Sequence, residues 1–334
     1  MKLYDLVNNG LANNLDRLCG TSVTNYSFKD KISDLNESLD WYFDIAEKAS
    51  SNWNFDDSNN TTPPIDTQDI VSGTNRYKFS AFTEEITDLL RLEVLNSSGV
   101  GQPLFPETLD TFGNIIGNTS GQISGVTSQT FQETYLNAPS GLPTNYIKYG
   151  GFVYLRPKPN YNYTAGLKAY FNRPASKFSF VAVVANVDNT LTAASHGLVA
   201  NDTVIFETDG TIPTGLTADT QYYVISSGLT SSVFKVSATL GGTEIDITNA
   251  QSSSNHSFLK TNKSPGINSM HHPILYRKAA ATFMQFNNAN GEYNARLSGV
   301  LPQLQSDERI IGAFYARRDK DVRHRLTPKY QNNR

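Results

Sequence analysis

The chain reads FSFVAVVANVDNTLTAASHGLVANDTVIFETDG at residues 178–210, the first part of a strand-like segment that continues to Leu259. Thr, Ser, Val and Gly are abundant in this segment, and Lys235 is its only Lys or Arg. Turn signals divide it into short strands, at Asp209-Gly210, Gly228 and Gly241-Gly242. Long helical periods and charges of both signs lie on either side. The pattern predicts an all-β module, residues 178–262, inserted into a host domain of another class.

The clearest helix lies near the N-terminus, after a weakly helical stretch over residues 3–18. Ser27, with Asp30 three residues later, resembles a capping box with Asp in place of the usual Glu. Apolar side chains then recur at spacings of four and three, at Phe28, Ile32, Leu35, Leu39, Tyr42, Ala46 and Ala49. This single narrow stripe predicts a helix that packs in a bundle or a helical hairpin.

Two further helices are predicted after the module. Pro273 suits the first turn of a helix that continues to Asn288, with Asn290-Gly291 as its C-cap. A last helix is predicted over residues 292–318, kinked or split at Pro302. Its apolar side is predicted to comprise Leu297, Leu301, Leu304, Ile311, Phe314 and Tyr315.

Residues 65–174 have the short alternating pattern of β-strands. Residues 146–155 and 166–171 are predicted as two antiparallel strands, joined through the prolines of residues 157–160. Such strands form a small antiparallel β domain, which needs a second layer to cover its apolar face.

The predicted fold class is α+β. A helical bundle, made of the N-terminal helix and two C-terminal helices, packs with the small antiparallel β domain, and the all-β module is inserted into it. Residues 1–177 and 263–316 are predicted to form the core, residues 178–262 the inserted β domain, and residues 317–334 a basic C-terminal extension.

The amount and the distribution of charge limit the classes of protein to which this chain could belong. Charged residues make up 18% of the 334 residues, which is low for a cytosolic enzyme and ordinary for a β-rich structural protein. Residues 1–110 hold eight Lys/Arg against 18 Asp/Glu, whereas residues 317–334 hold seven Lys/Arg against two Asp/Glu. This asymmetry indicates an end-to-end contact between subunits, a basic tail that binds an acidic partner, or a terminus that is merely solvated.

The sequence lacks catalytic and metal-binding motifs. Cys19 is the only cysteine, which excludes an internal disulfide and a cysteine-based zinc site. His271 and His272 are adjacent and have no further ligands at metal-site spacing, so we interpret them as polar residues before a helix. Residues 56–60 lack the glycine and glutamate of a calcium loop. We therefore expect a protein that is not an enzyme and that holds neither cofactor nor metal.

Membranes and nucleic acid are also unfavoured as binding partners. No apolar run approaches the ~20 residues that span a bilayer, and the N-terminus has no apolar signal region, so we expect neither membrane contact nor secretion. A direct nucleic-acid binder usually carries a basic patch, whereas the N-terminal third of this chain is acidic. An acidic surface suits a conduit through which DNA slides better than a protein that reads DNA.

A set of motifs occurs in a fixed order outside the module: Trp53-Asn54-Phe55-Asp56-Asp57, Pro63-Pro64-Ile65, Asp69-Ile70-Val71, Gly73, Tyr77-Lys78-Phe79, Gly141-Leu142-Pro143-Thr144-Asn145-Tyr146, Val153-Tyr154-Leu155-Arg156-Pro157-Lys158-Pro159, Tyr170-Phe171-Asn172-Arg173-Pro174 and Ser264-Pro265-Gly266-Ile267-Asn268. Together they resemble the adaptor (neck) proteins of tailed bacteriophages, in particular those of short-tailed phages. The resemblance covers residues 28–177 and 263–318.

The module has its own motifs: His196-Gly197-Leu198, Asn201-Asp202-Thr203-Val204, Gly215-Leu216-Thr217-Ala218-Asp219-Thr220, Tyr222-Tyr223-Val224-Ile225 and Phe234-Lys235-Val236-Ser237. They resemble a small β domain that recurs in phage structural proteins. Simpler adaptors lack this insert.

The resemblance implies a structural virion protein of the neck or tail, assembled in the host cytoplasm. Such adaptors form a ring, typically a dodecamer, that binds the portal protein and provides a docking surface for tail nozzle or tail fibre proteins. The ring extends the DNA ejection channel, and double-stranded DNA passes through it without specific binding. The segment past the last helix commonly reaches the portal, and by position the portal-binding residues here would be Arg317, Arg318, Lys320, Arg323, Arg325, Leu326, Lys329 and Tyr330.

Two alternatives stay open. One is another head-to-tail component of the same topology, such as a stopper, a nozzle-associated protein or a fibre-docking protein. The more remote one is a glycan-binding β protein that uses the module as its binding domain. The module has no Trp, and its aromatic residues Tyr222, Tyr223 and Phe234 are predicted to fill its core.

Overall fold

A computed structural model describes residues 1–19, 26–49, 63–109, 115–116, 135–250, 254–288 and 291–318. It contains long helices, several β-sheets and a closed β-barrel, which confirms the predicted α+β class. Two compact units divide the chain: Met1–Asn59 with Ala175–Arg334, and Asn60–Pro174.

The α-helices that the structure describes belong to the first unit. They are α1 (Leu3–Asp5), α2 (Asn13–Cys19), α3 (Phe28–Ala49), α4 (His272–Phe286) and α5 (Asn294–Arg318), with a π-helical segment (Leu6–Ala12) between the first two and a 3-10 turn (Ser269–His271) before α4. The 3.6-residue spacing of apolar side chains along α3, α4 and α5 lets one side of each helix face a common core.

Helix α3 has the predicted stripe: Phe28, Ile32, Leu35, Leu39, Tyr42 and Ala46 are buried. Ser27 Oγ accepts a hydrogen bond from the backbone N–H of Asp30 at 3.1 Å, which is the first arm of the predicted capping box. The second arm differs, because the Ser27 hydroxyl donates to Asp30 Oδ2 at 2.6 Å. Asp is one methylene shorter than the usual Glu, and here its carboxylate bonds the capping hydroxyl.

The C-terminal helices agree with the prediction except on the buried side of α5. Pro273 lies in the first turn of α4 as predicted, and α5 is continuous through Pro302, which excludes the split but not the kink that was the other predicted outcome. The assignment of Leu301 to the buried side of α5 is wrong, since this side chain is 42% exposed. Val300 is buried in its place, together with Leu297, Leu304, Ile311 and Tyr315. Positions 300 and 301 both fit a four-residue or three-residue spacing, so sequence periodicity does not distinguish them.

The second unit is made of short strands: β1 (Ile65–Ile70), β2 (Arg76–Lys78), β3 (Asp88–Leu95), β4 (Gly101–Pro103), β5 (Phe105–Leu109), β6 (Ile115–Ile116), β7 (Ser140–Gly141), β8 (Asn145–Tyr149), β9 (Phe152–Arg156), β10 (Lys158–Pro159) and β11 (Tyr163–Asn172). They form sheets of order β1-β11-β3-β4, β2-β9-β8-β5-β6 and β10-β7. Pairing is antiparallel except between β5 and β8 and between β7 and β10. Alternate side chains of the larger sheets, such as Leu92, Val153 and Leu167, form the core.

Residues 146–155 do not form the single strand that was predicted. They belong to a hairpin in which β8 pairs antiparallel with β9. Gly150 and Gly151 make the turn with φ of 58° and 77°, a conformation that glycine adopts without the steric penalty of other residues. Because β9 and β11 lie in different sheets, residues 157–160 connect two sheets rather than two paired strands.

The module forms a closed barrel from β12 (Val181–Ala185), β13 (Leu191–Thr192), β14 (Thr203–Thr208), β15 (Tyr222–Ile225), β16 (Val233–Ser237) and β17 (His256–Lys260). The strand order around it is β12-β13-β16-β15-β14-β17. Tyr222 and Phe234 fill its core as predicted, together with Phe206 and Phe258. Tyr223 is only half-buried, because neighbouring positions of a strand point to opposite faces.

The barrel and the helices share one apolar core within the first unit. Phe178, Ile205 and Leu259 pack into the cluster formed by α3, α4 and α5. The side chain of Asn36 also pairs with the backbone of Phe178, accepting from its N–H at 2.9 Å and donating to its carbonyl at 2.7 Å. These contacts group the barrel with the helices. The predicted domain scheme, which grouped the helices with the sheets of residues 60–174, stays a prediction.

Candidate functional site

The structure describes only the first of the predicted portal-binding residues completely. Arg317 is exposed in the last turn of α5, and Arg318 is the residue at which this helix ends. The others lie outside the described residues: Lys320, Arg323, Arg325, Leu326, Lys329 and Tyr330. Arg317 is thus the first residue of the predicted basic extension and lies in the last turn of α5.

Arg317 lies at a surface groove, which we call the α5 groove. Its cavity has a volume of about 720 Å³. It is lined by Met270, His271, Ser306, Arg309, Ile310, Ala313, Phe314 and Arg317. The residues from α5 recur at spacings of three and four, so they form a second stripe beside the buried side of the helix.

The α5 groove combines an apolar floor with two cations. Met270 is 78% exposed and Ile310 is 50% exposed, although both side chains are large and apolar. Arg309 and Arg317 are exposed beside them. Contiguous exposed apolar side chains with a polar rim are typical of a protein-binding surface. A partner segment with apolar anchors and acidic side chains would complement it.

Buried hydrogen bonds and ring contacts connect the residues at the base of this groove. The Tyr42 hydroxyl lies 2.6 Å from His271 Nδ1 and 3.1 Å from the Tyr315 hydroxyl. The His271 ring meets the Phe314 ring edge-on, with centroids 4.9 Å apart. Burial lowers the pKa of His271, and the charge of Asp307 acts in the opposite direction with smaller effect. Burial therefore favours the neutral form of His271, whose side chain is a packed wall of the groove.

His271 and His272 lie at the start of α4, as expected from the sequence, and both side chains are buried. The described residues contain no group of three or more His, Cys, Asp or Glu side chains that could hold a metal ion.

A buried polar network in the second unit was not predicted. The carboxylate of Glu107 in β5 accepts hydrogen bonds from the Tyr135 hydroxyl (2.5 Å), Asn145 Nδ2 (2.9 Å) and an Arg156 guanidinium nitrogen (2.5 Å). The network ties β5, β8 and β9 together. No sequence signal brings these residues together, because their proximity depends on the order of strands in the sheet.

A carboxyl pair lies on the barrel beside α3. Glu207 in β14 is hydrogen-bonded to Asp219, and Lys29 and Asp30 of α3 are the other charged groups that act on it. Burial raises the pKa of Glu207 to about 7, and the hydrogen bond and charge of Asp219 add to this shift. The nearby charge of Lys29 opposes it.

Glu207→Gln is expected to raise the melting temperature at pH 8 and to leave it nearly unchanged at pH 5. The pKa of Glu207 is higher in the folded than in the unfolded state, so the folded state binds more protons between about pH 4.3 and pH 7. Stability therefore falls as pH rises through this window, and a neutral Gln removes the loss. Solvent screening limits the gain at pH 8 to about 1 kcal/mol. Thermal melts at both pH values measure it.

Glu244→Gln is the control for this prediction. Hydrogen bonds from Lys235 and Asn189 lower the pKa of this exposed barrel carboxylate, so its ionised form is the stabilising one. Its substitution is expected to lower the melting temperature slightly at pH 8, the opposite sign. A lower melting temperature for Glu207→Gln at pH 8 would contradict the assigned environment.

Comparison with protein-family models and with curated proteins finds no match for this chain. None of the helices in the described part of the chain is both long and apolar enough to cross a membrane.

Proposed function

We propose that the chain is a structural virion protein, an adaptor that assembles as a ring, joins the portal of a tailed bacteriophage to its tail, and extends the DNA channel. The observation that supports this most directly is the α5 groove. It places exposed apolar side chains and two arginines at the C-terminal end of α5, where the predicted basic extension begins in the sequence. A docking surface and a basic segment are thus continuous in the chain.

The two parts have complementary roles in the proposed contact. The seven basic residues of the extension suit an acidic groove on the portal and would guide association and register. Ile310 and Phe314 in the α5 groove, with Leu326 and Tyr330 farther along, would supply most of the binding energy as they are buried. The α5 groove therefore extends the predicted portal-binding site back from the extension onto the fold.

The charged side chains on the surface of α3 support a channel that does not bind DNA. Glu37, Asp40 and Asp44 are exposed along this helix. Each forms an ion pair with a lysine: Glu37 with Lys278, Asp40 with Lys177 and Asp44 with Lys48. Because these lysines are paired with carboxylates, they do not form a basic patch and attract phosphate only weakly.

The test is to mix the purified chain with the portal encoded by the same genome and to measure the mass of the complex by light scattering. We expect the chain to be monomeric alone and to form a single species with one copy per portal subunit. A chain that lacks residues 317–334 is expected not to attach. Failure of the full chain to bind the portal would refute the adaptor and favour another tail component.

A further inference from the structure

The three methionines of the chain differ widely in their exposure to solvent. Met284 in α4 is 0% exposed and packs in the core that the helices share. Met1 is 45% exposed, and Met270, in the 3-10 turn before α4, is 78% exposed. Met270 also lines the α5 groove. The most exposed methionine of the chain therefore lies in the surface that is proposed to bind the portal.

The backbone around Met270 is held by the turn in which it lies. Asn268 Oδ1 accepts a hydrogen bond from the backbone N–H of Met270 at 3.0 Å, and the Asn268 carbonyl accepts one from the N–H of His271 at 2.9 Å. The Met270 side chain belongs to none of the apolar clusters that the described residues form. A chemical change at its sulfur therefore alters the groove while the packing of the fold stays intact.

A methionine thioether that is open to solvent reacts with peroxides. With hydrogen peroxide, a lone pair on Met270 Sγ takes one oxygen atom as the O–O bond breaks, and the sulfur loses two electrons. The other oxygen takes up the proton of the transferred oxygen and leaves as water. The product is methionine sulfoxide, a polar side chain that methionine sulfoxide reductases convert back to methionine. The reaction requires access to the sulfur, which Met270 provides and the buried Met284 does not.

Oxidation at this position removes part of the apolar floor of the groove. Met270 lies there beside Ile310 and Phe314, and burial of these side chains is the main source of the proposed binding energy. The sulfoxide oxygen is a strong hydrogen-bond acceptor and loses its water when a partner covers it. The oxidised groove therefore binds an apolar anchor less well than the reduced groove does.

We propose that Met270 is a peroxide-reactive site whose oxidation prevents docking through the α5 groove. The reagent is a peroxide, and a sulfoxide reductase with a thiol reductant reverses the change. The effect on docking rests on the proposed function, whereas the selective oxidation of Met270 does not.

Peptide mapping by mass spectrometry tests the selectivity. The full chain is treated with hydrogen peroxide, quenched with catalase and digested with trypsin, which places Met270 in the peptide 264–277 and Met284 in the peptide 279–296. We expect Met270 to be oxidised at least about tenfold faster than Met284, with an unchanged far-UV circular dichroism spectrum. Equal oxidation rates of Met270 and Met284 would overturn the proposal.

Light scattering with the portal tests the effect on docking. The oxidised chain is expected to bind the portal at least about tenfold more weakly than the untreated chain, and reductase treatment is expected to restore binding. Met270→Leu is the matched control, because leucine keeps a similar apolar volume and cannot take up oxygen. This variant should bind like the wild type before and after peroxide, although it retains Cys19 and Met1.

Two results of the binding experiment would contradict the proposal. One is normal portal binding by wild-type chain that is fully oxidised at Met270. The other is an equal loss of binding by peroxide-treated Met270→Leu, which would assign the effect to another residue. Failure of the untreated chain to bind the portal would refute the proposed function and the docking effect with it, and the peptide map would still decide whether Met270 is the reactive site.

Discussion

Arg156→Met is expected to lower the free energy of unfolding of the second unit by about 3 kcal/mol. Arg156 is the cation that pairs with Glu107, whose side chain is only 1% exposed. Removing the cation leaves a buried carboxylate with hydrogen bonds from Tyr135 and Asn145 but without its opposite charge. Removing one partner of a buried ion pair costs more stability than the intact pair contributes, because the remaining charge stays buried and is not solvated by water.

Urea unfolding followed by far-UV circular dichroism measures this loss. Tryptophan fluorescence, measured in a Trp53→Phe background, provides an internal comparison, since Trp41 lies in α3 of the first unit and should report little change. Arg91→Met is the matched control: it removes a half-exposed arginine that pairs with Glu93 in the same unit, and it should cost less than about 1 kcal/mol.

A double variant separates charge from packing. Adding Glu107→Gln to Arg156→Met removes the uncompensated charge and keeps one acceptor oxygen, which can bond either Tyr135 or Asn145. Part of the lost stability should therefore return, and the double-variant cycle should show coupling well above zero. If Arg156→Met and Arg91→Met lower the free energy of unfolding equally, leaving the Glu107 carboxylate buried without its cation does not destabilise the second unit more than losing an exposed ion pair does.

Local sequence signals predicted the helices well. The stripe of α3 and the position of Pro273 depend on spacing and on backbone chemistry within a few residues, which the sequence displays directly. The hairpin at Gly150-Gly151 was missed because the two glycines were interpreted as part of one strand. Glycine pairs between alternating runs are turn signals, so this error was avoidable.

The sites were less predictable because they depend on tertiary contacts. The α5 groove exists because Met270, before α4, lies beside Ile310 and Phe314 of α5. Sequence periodicity placed Phe314 on the apolar side of α5, where it packs against the core, but did not identify the second stripe.

Ile310→Glu is expected to weaken binding to the portal at least a hundredfold, a loss of about 2.7 kcal/mol. The substitution replaces an apolar anchor by a carboxylate that would be buried against the acidic partner surface that the proposed function requires. Ile310 is 50% exposed in the free chain, so the fold itself should be unaffected. Light scattering of the portal mixture, repeated as a concentration series, gives the change in affinity.

Leu301→Glu is the matched control for this variant. It makes the same chemical change on the same helix, at a side chain of similar exposure (42%) that does not line the α5 groove. If α5 docks through the groove, Leu301→Glu binds the portal normally while Ile310→Glu does not. If both variants bind the portal normally, residues 317–334 alone provide the attachment. If both variants lose binding, the portal contacts α5 on several sides and not only at the groove.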